Sequence, residues 1–106
     1  MIRVVNKKSG ERGVYIGRPS NLGNPFSHVP STVAEFRVRT REEAIGMYRG
    51  WLEKQLEDTD GIVAKTFNGL VQFYRDFGEL TLVCWCKPLP CHGDVLKEMI
   101  EERCRD

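Results

Sequence analysis

Three of the chain's four cysteines and one of its two histidines fall within eleven residues, Cys84 to Asp94, reading Cys-Trp-Cys-Lys-Pro-Leu-Pro-Cys-His-Gly-Asp. This segment sits between an apolar run (Leu80, Leu82, Val83) and a helical pattern (Val95, Leu96, Met99, Ile100). A strand that runs into a helix is the building unit of layered α/β folds. It also gathers side chains and free backbone N–H groups at one spot, a common seat of chemistry.

At 106 residues the chain is expected to be one domain spanning 1–106. That length buries roughly 65% of the unfolded surface, so folding does not require a metal. No apolar run is long enough to cross a bilayer, and no signal peptide is visible after the first basic residues. The expected compartment is therefore the cytoplasm, where cysteines are thiols or metal ligands rather than disulfides. Net charge is only +1, but residues 1–49 hold nine Lys/Arg against four Asp/Glu, while residues 50–106 hold seven against eleven. The basic half suits a local anionic ligand or a merely solvated face.

Ile2 to Val5, Val14 to Ile16 and Leu80 to Trp85 read as strands. Gly17 to Pro30, rich in Gly, Pro, Ser and Asn, reads as a long loop of the kind that carries function. Thr40 and Glu43 fit a capping box, opening a helix whose apolar face is Ala44, Met47, Tyr48, Trp51, Leu52 and Leu56. A second helix carries Phe67, Leu70, Val71, Tyr74 and Phe77 and closes at Gly78. A third runs from His92 to Cys104, with Cys104 buried on its apolar stripe. The expected architecture is a small single-domain α/β layer fold, a short, mostly parallel sheet with helices packed on it.

Within the cysteine–histidine segment, Cys84 and Cys86 alternate on a strand and so share a face. Pro88 and Pro90 stiffen the turn that returns Cys91 and His92 toward it. Three readings stay open. Cys84, Cys86, Cys91 and His92 supply four ligands for a tetrahedral zinc, although adjacent Cys91 and His92 are awkward ligands for one ion. Alternatively, the cysteines are small buried apolar side chains. In the third reading Cys91, at a helix N-terminus, is a reactive thiolate with His92 as base or hydrogen-bond partner. Asp94 joins them as a catalytic candidate or simply complements the helix dipole.

The loop Gly17-Arg18-Pro19-Ser20-Asn21-Leu22-Gly23-Asn24-Pro25-Phe26 supplies a different chemistry. Arg18 has the planar fork suited to phosphate or carboxylate. Ser20, Asn21 and Asn24 add uncharged donors and acceptors, and Gly17 and Gly23 permit backbone shapes that other residues resist. The glycine spacing matches neither a Walker nor a dinucleotide motif. The structural alternative is a rigid Pro/Gly loop with Asn residues capping its turns. The aromatic residues Tyr48, Trp51, Phe67, Phe73, Tyr74 and Phe77 are expected in the core, Trp85 first in packing, and His28 exposed.

The two motifs G-R-P-S-x-L-G-N-P-F and C-x-C-x-P-x-x-C-H-G-D, together with Arg41-Glu42-Glu43-Ala44-Ile45 and Tyr48-Arg49-Gly50-Trp51-Leu52, give a specific likeness over most of the chain. It resembles domain-of-unknown-function family 4326, small proteins of bacteria and their phages. That resemblance brings no assigned activity. It maps the family's two signature segments onto Gly17 to Phe26 and Cys84 to Asp94.

The leading expectation is a nucleotide-, nucleoside- or phosphosugar-binding site between the Gly17–Phe26 loop and the N-terminus of the last helix, in a nucleotide- or nucleic-acid-processing enzyme. Gly17, Arg18, Ser20, Asn21 and Asn24 would bind the ligand, and Cys91, His92 and Asp94 would be the chemical candidates. The competing expectations are a zinc-stabilised, non-catalytic module acting on a host protein or nucleic acid, and an interaction protein with buried thiols. Because loop and helix each follow a strand ending, parallel pairing of those strands would bring Arg18 and Asn24 beside His92.

Overall fold

The computed structural model describes residues 1–29 and 34–105. Its strands are β1 (Ile2–Asn6), β2 (Val14–Tyr15), β3 (Phe26–Ser27), β4 (Phe36–Arg37) and β5 (Leu80–Cys84), and its helices are α1 (Arg41–Glu57), α2 (Ile62–Phe77) and α3 (His92–Arg103). It is the small α/β layer fold that the patterning implies. Pro30, the far end of the expected loop, lies outside the described residues.

The main sheet has the order β1-β5-β2, with both pairings parallel. The last strand in the chain is therefore the middle one, paired Ile2 with Leu80 on one side and Val14 with Leu82 on the other. A strand flanked on both sides must be apolar on both faces, and Leu80, Leu82, Val83 and Cys84 are all buried. Helices α2 and α3 pack on β5, α3 also packs on β1, and all three helices touch one another. Tyr48, Leu52, Phe67, Leu82, Leu96 and Ile100 are fully buried among them. Side chains of this size each contribute about 1.5–3 kcal/mol on burial.

The helix ends follow local chemistry. Thr40 accepts the Glu43 N–H at the start of α1, but the Glu43 carboxylate takes the N–H of Arg39 rather than that of Thr40, so the expected capping box is only half formed. Gly78 ends α2 at φ 71°, the left-handed conformation that glycine alone adopts without strain. The α3 helix stops at Arg103, with Cys104 just beyond it, half-buried rather than buried and with its thiol 3.8 Å from the Val71 carbonyl.

Four expectations about single residues are corrected. Phe73 and Phe77 are exposed, since α2 needs only one face for the sheet and helices and its aromatics run past the edge of that face. Met47 is likewise exposed on α1. Trp85 is 53% exposed because β5 ends at Cys84, so strand alternation no longer governs it. The expected loop is interrupted by β3, which pairs in parallel with β4 and stacks Phe26 on Phe36, ring centroids 5.2 Å apart.

Candidate functional site

Parallel pairing of β2 with β5 brings two chain segments about 70 positions apart to the same end of the sheet. The chain leaving β2 turns twice, the Ser20 N–H reaching the Gly17 carbonyl at 2.8 Å and the Gly23 N–H reaching the Ser20 carbonyl at 2.9 Å. Gly23 is required by close approach, because a Cβ there would lie 3.0 Å from the Arg18 backbone. At Gly17 a Cβ would strike the Tyr15 ring, whose hydroxyl donates to the Arg18 carbonyl at 2.9 Å.

The chain leaving β5 passes through Trp85 to Pro90 and enters α3 at Cys91, whose sulfur accepts the Gly93 N–H at 3.3 Å. The Asp94 carboxylate returns a bond from the Cys91 N–H at 3.1 Å and also receives Lys87. Together Cys91 and Asp94 form a complete capping box, one the sequence did not reveal because cysteine is a rare cap. Asp94, expected as a catalytic candidate, is thus tied to the helix cap.

Between these segments and the start of α1 lies a cavity of about 390 Å³. Gly17, Arg18 and Asn24 line it from the loop, Phe26, Ser27 and His28 from β3 and its flank, and Arg41, Ala44 and Ile45 from α1. Trp85, Cys86, Pro90, Cys91 and His92 close the other wall. Arg18, Asn24 and His92 therefore share one cavity, as parallel strand endings require. His28 is half-buried in its wall rather than exposed.

The expected binding residues divide. Asn24 is buried and fully occupied: its side chain donates to the Ala44 carbonyl at 3.1 Å and accepts the Phe26 N–H at 2.9 Å, fastening the loop to α1. Asn21 is exposed and donates to Thr66, 3.2 Å away and outside the cavity. Ser20 also lies outside it, with a buried hydroxyl that has no partner. Arg18 uses one nitrogen on the carbonyls of Asn24 and Phe26, at 3.0 and 3.4 Å. Arg41, expected only as a helix-start residue, faces the same space and reaches the Pro90 carbonyl at 3.4 Å. Neither guanidinium has a carboxylate partner among the described residues.

The thiols are ordered by environment. Cys84 and Cys91 are buried with their sulfurs 3.4 Å apart. Contact with the Cys86 thiol, then burial, then Cys84 raise the Cys91 thiol far above its ordinary value. It caps α3 in surroundings that disfavour its thiolate. Cys86 is half-buried, and the Cys91 thiol, then the Arg41 and Arg18 guanidiniums, stabilise its thiolate and bring it down to about 6 against the opposing effect of burial. The thiol whose thiolate is favoured is thus Cys86, five residues before the expected Cys91.

His92 is buried, and burial lowers its pKa. Its Nε2 lies 2.6 Å from the Ile16 carbonyl, which can only accept, so Nε2 carries the proton and Nδ1 the lone pair. This orientation turns the Nε2 of His92 toward Ile16. No group of three or more His, Cys, Asp and Glu side chains among the described residues has a metal-holding arrangement.

No helix among the described residues is long and apolar enough to cross a membrane. Neither the curated proteins nor the solved structures contain a match to the chain. The family model called Domain of unknown function (DUF4326) matches residues 3–102, spanning both cavity-forming segments. With nearly its whole length covered, the chain belongs to that family.

Proposed function

We propose that the cavity binds a small phosphorylated ligand, a nucleotide or a related phosphosugar, within a cytoplasmic nucleotide- or nucleic-acid-processing enzyme. One observation carries this reading: two guanidiniums, Arg18 and Arg41, line a half-enclosed space without a carboxylate among the described residues to neutralise either of them. Unneutralised cations in a partly desolvated wall favour an anion, and the arginine fork matches phosphate. The volume, about 390 Å³, falls within the range of small-ligand pockets. Phe26 and Trp85 add flat apolar surface suited to a base or sugar face.

The geometry changes which groups would take the anion. Gly93 and Asp94 already spend their N–H groups on Cys91, so two of the donors at the N-terminus of α3 are taken by its own cap. The phosphate falls to Arg18 and Arg41. Calorimetric titration with a nucleoside monophosphate, its parent nucleoside and a sugar phosphate tests the reading. A phosphorylated compound should bind, the parent nucleoside at least about tenfold more weakly, corresponding to about 1.4 kcal/mol. Arg41→Gln should remove that difference. Binding that ignores the phosphate, or no binding at millimolar ligand, overturns the proposal. Zinc near one equivalent in the same preparation would instead favour the binding-module reading, through ligands brought together by rearrangement of His92.

A further inference from the structure

We infer that Cys86, which lines the same cavity as the Arg18 and Arg41 guanidiniums, is a nucleophile that captures small anionic electrophiles. The inference rests on the reading of this cavity as an anion site and adds a reaction class to it. Three arrangements support it. Cys86 is the half-buried thiol of the three and lines the cavity, whereas Cys84 and Cys91 are 1% and 2% exposed. Both guanidiniums act on the Cys86 sulfur and line the same space, so a carboxylate or phosphate drawn to them arrives beside it. Cys91, nearly fully buried beside Cys84, caps α3 by accepting the Gly93 N–H, which leaves Cys86 as the more accessible thiol of the wall.

The chemistry is a displacement at carbon. The Cys86 sulfur lone pair forms the S–C bond, the bond from that carbon to the leaving group breaks, and the leaving group departs with the electron pair as an anion. No redox partner is needed. The thiol proton passes to solvent water as the S–C bond forms, and His92, which donates to Ile16 through Nε2, is not called on as base.

Iodoacetate and iodoacetamide test this on the intact protein, since they differ chiefly in the carboxylate. Peptide mass mapping should find Cys86 modified first, ahead of Cys84, Cys91 and Cys104. The ratio of iodoacetate to iodoacetamide rates should exceed that of free glutathione by about tenfold, the lower end of what focused charge adds to an association rate. Arg41→Gln should return the ratio toward that of glutathione while iodoacetamide still labels Cys86. The wild-type ratio stands even if that variant does not fold. First modification at another cysteine, or a wild-type ratio equal to that of glutathione, overturns the inference. Because neither reagent is a nucleotide, failure of nucleotide binding with selective labelling intact rejects only the ligand class proposed above.

Discussion

His92 donates its Nε2 proton to the carbonyl of Ile16 across 2.6 Å, joining the first turn of α3 to the end of β2. The ring also stands edge-on to Tyr48, centroids 4.9 Å apart, and the Tyr48 hydroxyl reaches the Leu22 carbonyl at 2.7 Å. A strand end, a loop and two helices thus converge on one buried imidazole. His92→Ala should destabilise the fold by about 2–3 kcal/mol in urea unfolding, because it leaves a buried carbonyl unsatisfied beside a cavity.

The same imidazole gives stability a pH dependence of defined sign. Its pKa is lowered in the folded state, by burial first, from an ordinary value of 6.5. The contribution of the neutral ring is therefore fully present above pH 6.5 and lost as pH falls through the lower, folded value. Melting temperatures measured across that acid range should fall less steeply in His92→Gln, which keeps an N–H donor but does not titrate.

Gly93 lies where α3 meets the sheet. A Cβ there would stand 2.7 Å from Val4 Cγ1 and 2.9 Å from Ile16 Cδ1, both side chains held in packed surroundings. Gly93→Ala should cost about 1–3 kcal/mol despite the better helix propensity of alanine. Gly46, where a Cβ meets nothing within 4 Å, is the control: Gly46→Ala should stabilise by up to about 1 kcal/mol through propensity alone.

Asn24 and Asn21, equivalent to the eye in the sequence, should separate in experiment. Asn24→Ala removes the side-chain donor to the Ala44 carbonyl and leaves the Phe26 N–H without its acceptor, and should lose about 2 kcal/mol of stability. Asn21→Ala breaks one exposed bond to Thr66 and should change stability by less than about 0.5 kcal/mol.

The pH profile of Cys86 alkylation should have its inflection near the value of about 6 set by Cys91, Arg41 and Arg18. Cys91→Ala removes the first of these and should move the inflection upward, toward the ordinary thiol value of about 8.5. Loss of the cap should also cost about 1 kcal/mol, whereas Cys91→Ser, which keeps a capping acceptor, should preserve stability.

The sheet and the place of the site were legible because long-range order followed from local pattern. The apolar run at Leu80–Val83 reads as a strand from the sequence, its central place comes from the structure, and parallel pairing fixes which loop meets α3. What escaped was short or conditional. Strands β3 and β4 have two residues each, too few for any period to register. Cys86 looked like a strand residue facing the way of Cys84, but β5 ends at Cys84 and the following turn carries the thiol out to Arg41, whose own role is visible only when α1 is docked. The amides of the loop were read for their chemistry, whereas backbone groups claimed Asn24 before any ligand could.

The position of β5 between β1 and β2 has a consequence for the order of synthesis. A chain emerging from the ribosome exposes both outer strands from the start but gains the strand that joins them only after residue 80. Until then Ile2–Asn6 and Val14–Tyr15 have no sheet partner, and one wall of the cavity does not exist. The helical pair α1–α2, local in sequence, can gather first, while the sheet closes over long loops late in translation, the slower class of contact.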